Sequence, residues 1–197
     1  MTMPTLLHFV EKTHPLLREV MPDVLDFKDP ALQDIITNMC YSIAPEQLKA
    51  ANGAHDSAAG MAANQWGIKR RIFIFTPEGS EEDKLKEVMI NPSYVPYLRH
   101  QETTPKMEAA YEGCFSVPYT AAMVNRYEAI LATYYDVKGK KIERLMEGWE
   151  ARVFQHETDH LNGKLMDGKL DNFAGPDCVE RHIFKDSEEM MNFYRGK

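Results

Sequence analysis

Apolar residues recur at helical spacing early in the chain: Leu32, Ile35, Ile36, Met39 and Ile43 share one face of a helix. Asp29-Pro30 supplies the start, with Asp29 as N-cap and Pro30 at the first helical position, and Ala44-Pro45 marks the end. The polar stretch 46–57, which carries Gly53, reads as a loop. A run of small residues from Ala58 then ends in two amides, Asn64 and Gln65. Arg71 to Phe75 is a β-branched and aromatic strand, Gly79 to Lys86 a charged hairpin excursion, and Glu87 to Asn91 a second strand that Pro92 closes. Tyr127 to Val137 alternates as a strand, and Lys138-Gly139 turns it into a partner over 140–146. Helical spacing returns in the stripe Trp149, Val153, His156 and His160, on a helix predicted from about Gly148 to Leu161 and stopped by Asn162-Gly163. The tail, 164–197, ends in a short helix after Asp186-Ser187.

Strands in succession with helices at the two ends predict an α+β fold. Mainly antiparallel β-sheets would surround a helix of the C-terminal half, with an N-terminal helix and a C-terminal tail helix. The length of 197 residues suits one domain over 1–197, with 164–197 as a tail that docks on it or is disordered. Hydrophobic residues at 44% and charged residues at 27% describe an ordinary globular chain. No apolar run approaches the length of about eighteen residues that a membrane helix needs. Met1 to Val10 lack the basic start and apolar core of a secretory signal, so the cytoplasm is expected. The formal net charge of -7 argues against direct nucleic-acid binding through backbone phosphates. The short basic run Lys69-Arg70-Arg71 reads as a turn leading into a strand. Three cysteines, Cys40, Cys114 and Cys178, are too few and too scattered for a disulfide framework. Cys40 falls in the first helix and reads as a buried structural thiol.

His156 and His160 are four apart on a predicted helix and therefore lie on one face, where two imidazoles can reach one metal ion. Glu157 is one step round, poorly placed as a ligand but able to take the proton of a water beside the ion. The pattern His-Glu-x-x-His fixes only three positions and is matched by chance in charged helices, so a third ligand matters. Downstream, Glu180 has the distance from the helix that a zincin-type peptidase would use, although its neighbours read as an ordinary polar segment over 177–181. His182 has no metal-binding context. Upstream, Cys114 in the segment 112–118 can project from a strand edge beside the helix, and its thiolate would be a strong, soft ligand.

Three blocks in order resemble the peptide deformylase family. Gly60 to Gln65 is similar to the family's small-residue block that ends in glutamine. Glu112-Gly113-Cys114-Phe115-Ser116 is similar to its E-G-C-Φ-S, and Gln155-His156-Glu157-Thr158-Asp159-His160 to its Q-H-E-x-D-H. His14 to Arg18, Ile90-Asn91-Pro92 and His160 to Gly163 agree as well, so the resemblance covers roughly 7–170. It implies hydrolysis of the formyl group from N-terminal formyl-methionine of nascent peptides, releasing formate. An amide hydrolase of the same fold acting on another formylated or acylated amino acid is the alternative. Cys114, His156 and His160 would bind one divalent ion. Fe²⁺ is implied as native, with Ni²⁺ or Co²⁺ as substitutes, while the donor set also suits Zn²⁺. Glu157 would be general base and then general acid, and Gln65 and the backbone N–H of Phe115 would donate to the oxyanion. Gly60 would admit the substrate backbone, and Arg126 would lie near it. Helix phase adds Met61, Trp149 and Val153 as an apolar pocket for methionine, bordered by the stem of Arg152. The ribosome would be a transient partner. Three departures stand out: Ala58 replaces the first family glycine, Phe115 the usual leucine, and Asn125 a frequent proline.

Overall fold

The computed structural model describes residues 3–52, 57–77, 86–100 and 102–196. In chain order the elements are α1 (Pro30–Ser42), α2 (Pro45–Asn52), β1 (Gly60–Ala62), β2 (Ile72–Phe75), β3 (Glu87–Pro96), β4 (Met107–Cys114), β5 (Val117–Tyr127), β6 (Ala129–Tyr135), β7 (Lys141–Glu147), α3 (Gly148–Leu161), β8 (Asp177–Ile183) and α4 (Ser187–Arg195). Five strands form one sheet in the order β1-β2-β3-β6-β7, and three form a second, β4-β5-β8. Every pairing between these strands is antiparallel. The architecture is α+β with antiparallel sheets. No described helix is long and apolar enough to cross a membrane.

The position of β2 follows from its four apolar residues. Side chains alternate along a strand, so Phe73 and Phe75 face one way and Ile72 and Ile74 the other. The phenylalanines join Met89, Ile130 and Phe154 in the core beneath α3. The isoleucines join Leu32, Ile36 and Met39 in the core beneath α1. All four are fully buried, as expected of a strand covered on both faces. Phe73 meets Phe154 edge to face at 5.3 Å. α1 begins as its terminus dictates: Asp29 Oδ1 accepts the N–H of Ala31 at 2.9 Å.

α3 lies against strands of both sheets, and this changes the simple stripe expected of it. Residues from Ala151 to Leu161 are buried nearly all round. A helix in that position must satisfy its polar side chains internally. Gln155 does so by gripping Tyr127, accepting from its N–H at 3.0 Å and donating to its carbonyl at 2.9 Å. The helix stops where expected. Gly163 has φ +69°, and a Cβ there would fall 2.6 Å from the carbonyl carbon of Arg18. The glycine thus lets the chain reverse and lets residues 18–21 cross the helix end, where Met21 N–H reaches Leu161 O at 2.8 Å.

Several expectations need correction. The stretch expected as a loop from Glu46 forms α2, because Pro45 opens a helix instead of only closing one, and the carbonyl of Ala44 accepts from Gln47 and Leu48. Pro92 does not close β3. The strand passes it through a register shift between Ile90 and Ser93, with Asn91 at φ +52°, and a bulge tolerates proline. Tyr127 ends β5, and the next strand starts at Ala129. Asp177 to Arg181 belongs to the edge strand β8, whose exposed side chains hide it from periodicity. The tail docks: β8 pairs with β5, and α4 starts at the cap Asp186, which accepts from Glu189 N–H. Apart from Lys86, the charged excursion at 79–86 lies outside the described residues.

Candidate active site

Glu112 and Cys114 are two residues apart on β4 and project together toward α3, leaving Gly113 exposed between them. From α3, His156 and His160 come to meet them. The Cys114 sulfur lies 3.2 Å from His160 Nε2. Ligand atoms of Cys114, His156 and His160 all fall within 4.8 Å of one another, a group that no other His, Cys, Asp or Glu set among the described residues matches. One thiolate and two imidazoles converging in this way fit a single divalent ion and leave room for a further ligand. The downstream candidates go elsewhere. Glu180 and His182 stand half-exposed on β8, where Glu180 accepts a hydrogen bond from the Tyr111 hydroxyl.

Glu112, quoted in the sequence only as a neighbour of Cys114, organises the ground beneath the ligands. Its Oε2 contacts His156 Nδ1 at 2.8 Å, so Nε2 is the nitrogen left for an ion. Arg126 donates to both Glu112 oxygens at 2.9 Å, Arg152 adds a bond of 2.8 Å, and Arg126 also reaches Asp159. Arg126 is only 3% exposed. It is therefore not beside a substrate backbone, as the resemblance implied, but beneath the site, because its two carboxylate partners come from β4 and α3. Burial works to raise the pKa of Glu112, yet the charge and hydrogen bonds of Arg126 outweigh it and hold the carboxyl well below the usual range. Burial, then the neighbouring His156, pushes the pKa of His160 down.

Glu157 is buried beside the ligands, and burial pushes its pKa up to about 7. Among the described residues its Oε2 has no hydrogen-bond partner. Directly opposite, a Cβ on Gly60 would fall 2.7 Å from Glu157 Cγ and 2.8 Å from Oε1. The glycine makes room for this carboxylate, a closer constraint than the substrate approach expected of it. Gln65 sits within the 3-10 turn Ala63–Trp66, and its Oε1 accepts the N–H of Ala62 at 2.8 Å. That bond fixes the amide, so Nε2 faces Ser116 Oγ at 3.2 Å and the Cys114 sulfur at 3.7 Å.

These groups open on a cleft of about 300 Å³ lined by Gly60, Gln65, Cys114, Phe115, Trp149, Val153, His156 and Glu157. The volume is at the small end for ligand sites. Met61, expected in an apolar pocket, does not line it: its side chain is fully buried in the core under α1. Strand alternation explains this, because Gly60 faces Glu157 and its neighbour must face away. Tyr111 and Ala59 line the cleft without having been singled out for it, and Ala58, which stands in place of a family glycine, lines it too. Glu112 could have been found from its i, i+2 relation to Cys114. Asp159 could not, since only the fold brings it to Arg126.

The family model described as polypeptide deformylase matches residues 6–174. The chain is 38% identical over 120 residues to peptide deformylase 2 of Pseudomonas syringae, covering 58% of this chain and 64% of that one, just under two thirds of its length. It is 36% identical over 164 residues to peptide deformylase 2 of Ralstonia nicotianae, covering 81% and 83% of the two chains. Among solved structures, the peptide deformylase of Thermotoga maritima superposes with a TM-score of 0.64 at 30% identity, covering 87% of this chain and 99% of that one. The chain belongs to the polypeptide deformylase family.

Proposed function

We propose that this protein removes the formyl group from the N-terminal formyl-methionine of peptides, releasing formate and a free amine. The observation that carries the reading is the meeting of Cys114, His156 and His160 with the buried carboxylate of Glu157 in one cleft. The ion those three residues would hold supplies Lewis acidity at the formyl carbonyl and makes a nearby water more acidic. Two imidazoles and a thiolate suit Fe²⁺ or Zn²⁺, with Ni²⁺ or Co²⁺ able to take the same donors.

Glu157 takes a proton from the attacking water and passes it to the nitrogen as the C–N bond breaks. Its pKa near neutrality suits both steps. Water oxygen ends on the formate, and the proton on the new N-terminus. Gln65 Nε2, held by the bond to Ala62, donates to the oxyanion, and the backbone N–H of Phe115 is the second donor. Glu112, itself clamped by Arg126 and Arg152, orients His156. Trp149 and Val153 provide apolar surface for the methionine side chain, and the small cleft admits a formyl group beside the ligands. Nascent chains in the cytoplasm, met at the ribosome, are the substrates in this reading.

Kinetics on formyl-methionine and on a formyl-methionyl tripeptide test the substrate. A clear preference for the tripeptide is expected. Equal kcat/KM for the two would sink the peptide reading in favour of a free acylated amino acid.

A further inference from the structure

The N-terminal segment runs along α1 and then reaches the site. Thr5 N–H donates to Asn38 Oδ1 at 2.8 Å and Leu7 N–H to Ser42 Oγ at 2.9 Å, both on α1. Three residues on, Val10 N–H donates to the backbone carbonyl of Gln65 at 2.9 Å. Between these anchors lies Phe9. Its ring stacks on Trp66 at 5.9 Å with an interplanar angle of 26°, and on Phe115 at 5.2 Å with an angle of 12°. One ring therefore bridges two separate pieces of chain. The first is the 3-10 turn Ala63–Trp66, which carries Gln65. The second is the turn after β4, which carries Phe115. The chain accommodates this strap deliberately: Gly67, at φ +74°, ends the Gln65 turn, and a Cβ there would press on Val10 Cγ1 at 3.2 Å.

We propose that Phe9 is a positioning residue for deformylation, holding the Gln65 turn and the Phe115 turn in register so that their two donors converge on one oxygen. This rests on the reading of Gln65 and Phe115 as oxyanion donors. Donors of that kind work only when held in place before charge develops, and small displacements cost much of the effect. These two sit about fifty residues apart in the chain, and between their side chains and turns the structure shows the bonds from Gln65 Nε2 to Ser116 and Cys114. Phe9 adds a rigid contact across the same gap. An aromatic residue at 115, where the family pattern has leucine, gives Phe9 a flat partner.

The test measures kcat and KM on a formyl-methionyl peptide for the full, metal-loaded protein and its variants, with a thermal melt of each. Phe9→Ala should lower kcat about tenfold while KM stays within about twofold, the signature of a loss confined to the transition state. Phe9→Tyr should restore kcat. In a Phe115→Leu background, where the stack is already gone, Phe9→Ala should change kcat by less than about twofold. If Phe9→Ala fails to fold, Phe9→Leu carries the same comparison. Unchanged kcat in the Phe9 variant alongside a fall in Gln65→Ala would overturn the role of Phe9. So would an equal loss with and without Phe115. A Gln65→Ala variant with normal kcat would remove the oxyanion reading, and Phe9's role with it.

Discussion

Two clusters of charge in this molecule have similar contacts and different consequences. Around Glu112, Arg126 and Arg152 bond at 2.8 to 2.9 Å, and side-chain exposures run from 3% to 12%. Around Arg99, Glu128 and Glu147 bond at 2.8 and 2.6 Å, but exposures run from 35% to 50%. Distance does not separate them; solvent does. Water screens the Arg99 cluster, and long side chains must be ordered to form it, so such pairs contribute little. In the Glu112 cluster each charge depends on its partners for the solvation it has lost. A buried network of this sort is weak evidence of net stability. Its use here is geometric, since it ties β4, β5 and α3 together under Cys114, His156 and His160.

The comparison can be broken by removing one partner from each cluster. Arg126→Met should have the largest effect, about 3–5 kcal/mol of destabilisation by urea titration, because Glu112 and Asp159 would be left buried without their cation. A loss near zero would show that water reaches the cluster and that burial is not what distinguishes it. Glu112→Gln keeps the shape but weakens the grip on His156, and should lower metal affinity about 10–100-fold in a chelator competition. Unchanged affinity would mean that His156 is oriented by other contacts. The smallest effect belongs to Arg99→Ala, whose melting temperature should match that of the parent protein within error. A marked fall there would erase the contrast between the clusters.

What could be read from the sequence divides along the same line. The four apolar residues of β2 announced a strand, though not its burial on both faces, and α3 announced itself by periodicity and by the stop at Gly163. Cys114, His156 and His160, the proposed ligands, could be picked out because their motifs are local and ordered, and the fold brings them together. Arg126 was not, since an arginine on a strand looks exposed until Glu112 and Asp159, from two other elements, close over it. Met61 was misplaced for want of the phase of β1, which the contact between Gly60 and Glu157 determines. α2 and β8 escaped because each buries little: among the described side chains Leu48 is the one fully buried anchor of α2, and Cys178 the one buried residue of β8. Hydrophobic periodicity cannot report an element held mainly by its backbone.

In the proposed mechanism three ligands and one acid–base residue divide the labour. Glu157→Ala separates them in a single preparation, handled without oxygen because a thiolate ligand is prone to oxidation. Metal content and formate release from a formyl-methionyl peptide would be measured on the same sample beside the parent protein. One ion per chain in both proteins is expected, with release in the variant lower by a factor of about 100 or more. Parent-like turnover in Glu157→Ala, or loss of the ion with the carboxylate, would contradict the roles assigned to Glu157 and to the Cys114, His156 and His160 site.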